Sequence, residues 1–187
     1  MDVLQWRLPF ILCTIVAWST YVYLRWKSVP IILRYWGFRT NNLGTVLRQL
    51  LPLGLIAVVT FLIIGYVRDT LNITWHIIPI LITYPIWGTI QQFLCVGLVA
   101  GNMQHMGRPL NRNLIVLITA IFFSLLHYPN VWLMAGTFVL ALVYSALYLR
   151  ERNLYALGLF HGWLGALFFY AVVGRDPFIE VWGPVLK

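Results

Sequence analysis

Residues 113–173 read NLIVLITAIFFSLLH, YPN, VWLMAGTFVLALVYSALYL, RERN and LYALGLFHGWLGALFFYAVV. Three apolar runs follow one another, and only two short breaks separate them. A helix needs about 20 largely apolar residues to cross a bilayer core, so Asn113–His127, Val131–Leu149 and Leu154–Val173 read as spans. Tyr128-Pro129-Asn130 marks a tight helical hairpin, because proline has no N–H with which to continue a helix. Working outward, Leu8–Leu24, Leu50–Val67 and Ile77–Ala100 have the same character, which makes six spans in all. The third of these holds Pro79 and Pro85, which predict a kink or an interfacial first turn.

The composition agrees. Of 187 residues, 61% are apolar and 10% charged, against about 45–50% and about 25% in a soluble globular chain. Thirteen basic and five acidic side chains are too few to cover a soluble surface of this length. A water-soluble domain, a disordered chain and a nucleic-acid binder are thereby excluded. The expectation is an all-α, polytopic integral membrane bundle of about six transmembrane helices, forming one transmembrane domain over 1–187. Cys13 and Cys95 both lie in apolar stretches, so neither a disulfide framework nor a cysteine-based zinc site is indicated. The run Leu8–Leu24 is too long for a signal-peptide core and reads as a retained first span.

Charge placement sets an expected orientation. With the N-terminus outside, the cytoplasmic segments hold Arg25, Lys27, Arg34, Arg39, Arg48, Arg108, Arg112, Arg150 and Arg152 against Glu151 alone. The outer segments balance Arg7, Arg68, Arg175 and Lys187 with Asp2, Asp69, Asp176 and Glu180. The net charge of +8 therefore falls on one face, as the positive-inside rule demands. Both termini are expected outside, in a bacterial inner membrane or its equivalent. Trp6, Trp26, Trp75, Trp132 and Trp182 sit near span ends, where indole suits the interface. The basic, partly apolar connection from Arg25 to Gln49 reads either as an amphipathic helix on the inner leaflet or as an ordinary loop.

Polar side chains at membrane depth are costly and usually have a role. Gln91 and Gln92 lie in the third span, His127 ends the fourth and His161 lies inside the sixth. They can form one polar pocket; equally, the glutamines can be interhelical glue and His127 an interface residue. Gly158 and Gly162 flank His161 with the spacing that lets another backbone approach, and Gly97 and Gly101 repeat it on the third span. His127 and His161 fall short of the three or four ligands that zinc takes. A Ser-His-Asp triad lacks an intramembrane Asp, and the Ser124 hydroxyl is expected to bond its own helix backbone. An imidazole can ligate haem or a metal-centred pigment, but no cofactor motif accompanies these two, so no cofactor is expected.

Phe123-Ser-Leu-Leu-His127, followed by Tyr128-Pro129-Asn130, resembles the Phe-x-x-x-His motif of the CPBP family, the CAAX-prenyl endopeptidases and bacteriocin-processing proteins also called Abi. The run from Arg150 to His161 resembles the approach to that family's His-x-x-x-Asn/Asp motif. Gln91-Gln92-Phe93-Leu94-Cys95-Val96-Gly97 stands where the family carries Glu-Glu-x-x-x-Arg. The resemblance covers about residues 84–170. It implies that a first-motif glutamate activates water, that the histidines assist, and that the Asn/Asp stabilises the oxyanion. In this chain those positions hold Gln91, Gln92, Val96 and Gly165. Glutamine keeps the shape of glutamate but cannot take a proton. The resemblance with these departures implies a family-like membrane protein without peptidase activity, with Gln91, Gln92, His127 and His161 as a vestigial catalytic set. It would act as a binding or structural subunit whose partners are membrane lipids and other integral membrane subunits. The alternative is an active CAAX-type endopeptidase that uses His127 and His161.

Overall fold

The computed structural model describes residues 7–107 and 110–183; its described residues form helices joined by turns and short irregular stretches, with no strand. The expectations that rest on Asp2, Trp6, Arg108 and Lys187, and on the side chains of Arg7 and Trp182, lie outside what is described. Two compact units divide the chain, residues 1–35 and 36–187. The first contains α1 (Arg7–Ser28), 22 residues that include the expected span Leu8–Leu24, and the short α2 (Ile32–Trp36) begins at its end. The second contains α3 (Leu43–Val67), α4 (Ile77–Met103), α5 (Arg112–Leu125), α6 (Val131–Glu151), α7 (Leu154–Val173) and α8 (Pro177–Trp182).

Among the described residues, four helices are long and apolar enough to cross a membrane: α3, α4, α6 and α7. The expected span Asn113–His127 is shorter than the six-span reading requires. As α5 it has 14 helical residues, against the roughly 20 of a full crossing. Pro129 disfavours helical backbone at the residue before it, so α5 stops at Leu125 and His127 falls in the turn that leads to α6. Asn130 caps α6 by accepting from the Leu133 N–H at 3.0 Å. The connection after Arg25 is neither one amphipathic helix nor wholly loop. It supplies the five-residue α2, and α3 already begins at Leu43.

The central helix of the second unit is α7. Of its apolar window 61% is buried, against 17–28% for the other three long helices, and it packs on α3, α4 and α6. Its closest partner is α4, and glycine makes that crossing possible. A Cβ on Gly88 would stand 2.5 Å from the Gly158 carbonyl oxygen and 2.9 Å from the Gly162 nitrogen. Cβ atoms on Gly158 or Gly162 would collide with backbone of Thr89 or of Tyr84 and Pro85. The expected glycine face of α7 is thus real, but its counterpart on α4 is Gly88. A Cβ at Gly97 meets only ordinary contacts, at 3.5 Å and beyond.

Proline and π-helical turns are accommodated by partners for the freed carbonyls, as a bilayer requires. Pro85 cannot donate to Leu81, four residues earlier, and Trp163 Nε1–H takes that carbonyl at 3.1 Å. At the end of α7 a π-helical turn covers Phe169–Val173. The Tyr170, Ala171 and Val172 carbonyls accept from the Asn72 N–H (2.8 Å), Thr70 Oγ1 (2.7 Å) and the Arg68 guanidinium (3.0 Å).

Polar clasps close both ends of this unit. At one end the buried Asn153 caps α7 by accepting from the Ala156 N–H, and its amide donates to Arg39 O (3.0 Å) and Asn42 Oδ1 (2.7 Å). The Glu151 carbonyl accepts from Asn42 at 2.8 Å and from the Arg39 guanidinium. Gly37 has φ +103°, and a Cβ there would stand 2.7 Å from Arg152 O. At the other end Asp176 caps α8 and accepts from Tyr170 (2.8 Å), Thr74 (3.0 Å) and His76 (2.7 Å). Burial raises the Asp176 pKa, but these donors outweigh it, so the carboxyl lies below its ordinary 3.8.

Two outcomes follow. Gly88→Val should cost at least about 1–3 kcal/mol by overpacking, while Gly97→Ala should cost less than about 1 kcal/mol; thermal unfolding in detergent compares them. The depressed pKa of Asp176 means that its stabilising contribution is complete above pH 3.8 and is lost as pH falls through the lower folded-state value. Asp176→Asn should therefore lower the melting temperature at pH 6 and flatten its fall in acid, which a melting series across pH would record.

Candidate functional site

The α4–α7 crossing decides what meets at its inner edge. Gln92 lies one turn beyond Gly88, and His161 lies between Gly158 and Gly162, so close backbones bring the two side chains face to face. Gln92 is fully buried, and its side-chain amide meets His161 Nδ1 at 2.6 Å. Gln92 Oε1 is buried without a partner. Directly after Gln92 the helix widens into a π-turn over Phe93–Gly97, a feature frequent at functional sites.

His127 arrives from α5. Its Nδ1 lies 2.9 Å from Phe123 O; a carbonyl only accepts, so Nδ1 carries the proton and Nε2 of the neutral ring is an acceptor. The Phe123 ring packs against both imidazoles, with centroids 5.2 Å from His127 and 5.6 Å from His161. The Ser124 side chain bonds neither its own helix nor the His127 imidazole. Its hydroxyl donates across the hairpin to Met134 O at 2.8 Å.

Gln91, His127 and His161 line one cavity of about 660 Å³, with α3, α4, α6 and α7 forming most of its walls. Gln92 stands behind this wall as the partner of His161. The four expected site residues are thus brought to one place, three on the cavity and one beneath it. Sequence reasoning missed Gly88, whose one available signal was an isolated glycine four residues before Gln92. It also missed the aromatic lining from Trp87, Trp132 and Phe160. No Asp or Glu is among the lining residues.

Gly165 and Val96 occupy different surroundings. A Cβ on Gly165 would meet only His161 Cδ2, at 3.7 Å, so a side chain fits there beside the imidazole. Val96 is fully buried, which leaves no solvent for a longer cation in its place.

Fold and site together define an integral membrane helical protein with a histidine-lined intramembrane cavity. A family model described as type II CAAX prenyl endopeptidase Rce1-like matches residues 70–167, just over half of the chain. The chain belongs to that family. No curated protein and no solved structure matches it.

The buried amide leads to a stability test. Gln92→Leu removes the unpartnered oxygen together with one hydrogen bond, so its cost should stay near 1 kcal/mol. Gln92→Glu places a carboxyl in the same dry position, where it must stay protonated or ionise with the His161 Nδ1–H as its one neighbour and no cation, and should cost about 2 kcal/mol more. Parallel melting curves of the two variants are the check.

Proposed function

We propose that this member of the family has no peptidase activity and serves as a binding or structural subunit of a membrane assembly. The observation that carries the reading is the Gln92–His161 contact. A carboxylate at that position would hold the Nδ1 proton and raise the basicity of His161 Nε2. The uncharged amide that stands there instead can take no proton and lends the imidazole no such charge.

The missing groups have a size in rate. A general base contributes about 10²–10⁴, and an oxyanion donor about 10²–10³. Gln91 and Gln92 supply no base, Gly165 supplies no side-chain donor, and no lining carboxylate substitutes for them. The apolar outer faces support a role among other membrane components. Leu55, Val59 and Ile63 on α3 and Ile78, Ile82 and Ile86 on α4 are all exposed, as befits contact with lipid or partner helices.

The purified chain should not cleave prenylated peptides. Gln91→Glu/Gln92→Glu should recover little or no turnover, and adding Val96→Arg with Gly165→Asn should recover more if the variant folds. Robust cleavage by the unaltered chain, abolished by His127→Ala or His161→Ala, would establish the alternative of an active endopeptidase.

The orientation is part of the same proposal: both termini outside, with Arg39 and Arg150 on the cytoplasmic face of a bacterial inner membrane or its equivalent. The excess of Lys and Arg on that face supports it. Single cysteines at positions 39, 150 and 185, in a chain with Cys13 and Cys95 replaced, should label from opposite sides: 185 from outside, the other two from inside. Labelling of all three from one side would refute it.

A further inference from the structure

Where α3 begins and α6 finishes, Arg39, Arg48, Arg112, Arg150 and Arg152 gather, and among the described residues Glu151 is the one carboxylate at this end. Backbone holds two of the arginines: Arg39 donates to the Glu151 carbonyl, and Arg112 to the Ala146 carbonyl at 2.7 Å. Arg152 reaches Gln104 Oε1, also at 2.7 Å. Arg48 and Arg150 are exposed. The ion pairs among the described residues, His76–Asp176 and Arg175–Glu180, lie at the opposite end of the unit. Glu151 Oε1 instead accepts from the Gln49 amide at 3.5 Å. Arg48 and Arg150 each stand one residue, about 3.8 Å of chain, from a member of that contact, which brings them to one edge.

Arg48 also heads an apolar stripe. At about 100° of turn per residue, Leu51, Leu55 and Val59 fall within about 60° of it on the helix surface. They are 52%, 59% and 55% exposed. The cavity-lining Ala57, Phe61 and Ile64 lie on the other side of α3, so the stripe is no part of the cavity. From Arg48 to Val59 the helix rises about 16 Å, close to half of a hydrocarbon core about 30 Å thick. A chain laid along the stripe from Arg48 therefore ends near the middle of the bilayer. Unneutralised guanidinium above an apolar face one leaflet deep matches an anionic phospholipid; a soluble anion or an acidic protein segment makes no use of the stripe.

We propose that this face binds an anionic phospholipid, its phosphate held by Arg48 and Arg150 and one acyl chain laid along Leu51, Leu55 and Val59. Guanidinium suits the task, because its planar donors pair two phosphate oxygens at once. A zwitterionic headgroup brings a further cation among the arginines and cancels much of the attraction. The assignment goes beyond the role proposed above and is independent of peptidase activity, since it involves no residue of the cavity.

The test offers the full chain in detergent micelles three probes: phosphatidylglycerol, phosphatidylcholine with the same acyl chains, and glycerol phosphate. Native mass spectrometry reads retention. Phosphatidylglycerol should be retained at about tenfold lower concentration than phosphatidylcholine, as fits two arginines at a charged headgroup, and glycerol phosphate should not be retained. Arg48→Gln/Arg150→Gln should erase the preference, and either single variant should lower it about threefold. Arg175→Gln, at the opposite end, should leave it unchanged. Equal retention of the two lipids, the result of an acidic protein partner on this face, overturns the proposal. So does retention of glycerol phosphate to match phosphatidylglycerol, the result of a soluble phosphate ligand. A preference that survives the double variant, or falls as far with Arg175→Gln, overturns it as well. Should the double variant fail to fold, Arg48→Gln alone decides.

Discussion

The backbone contact between α4 and α7 is the constraint on which the site depends. Water does not drive helices together inside a bilayer, so association rests on close packing and on hydrogen bonds. Gly88, Gly158 and Gly162 remove the side chains that would hold these two helices apart. Once the backbones touch, Gln92 and His161 have no freedom to avoid each other, and their bond forms in a fully buried setting. Phe123 then seats the second imidazole against the first.

Satisfaction of every backbone group in a medium without water shapes the rest of the second unit. Pro85 is affordable because the Trp163 indole covers the carbonyl it orphans. The π-turn that ends α7 is stable because three successive carbonyls find donors on the segment from Arg68 to Asn72. That same segment leads into His76, which binds Asp176. One stretch thus ties the end of α3, the start of α4 and the α7–α8 junction together.

A single atom separates the chemistry of this cavity from that of a hydrolytic one. Glutamate and glutamine occupy nearly the same volume, but at position 92 a carboxylate would carry a charge and could take a proton, while the amide can do neither. Gly165 leaves open space beside the imidazole where an oxyanion donor would stand.

By itself the sequence determined the solvent, the fold class and the family. Apolar run length and the scarcity of charge identify a helical membrane protein, because only a closed backbone ladder survives in hydrocarbon. Phe123 to Asn130 and the approach to His161 carry the family resemblance, and Gly158 and Gly162 announced a close approach without naming the partner. Tertiary structure alone decided that the partner is Gly88 rather than Gly97 and Gly101, because a helix crossing selects one point on each axis and spacing along one helix does not reveal it. The fourth expected span proved to be a 14-residue helix, since apolarity continues through the turn while the backbone does not. Run lengths place His127 and His161 on separate helices and say nothing of the distance between them. The structure joins them at Phe123 because α5 is a short helix that ends beside α7, and chain counting carries no information on how a helix is placed against its neighbours.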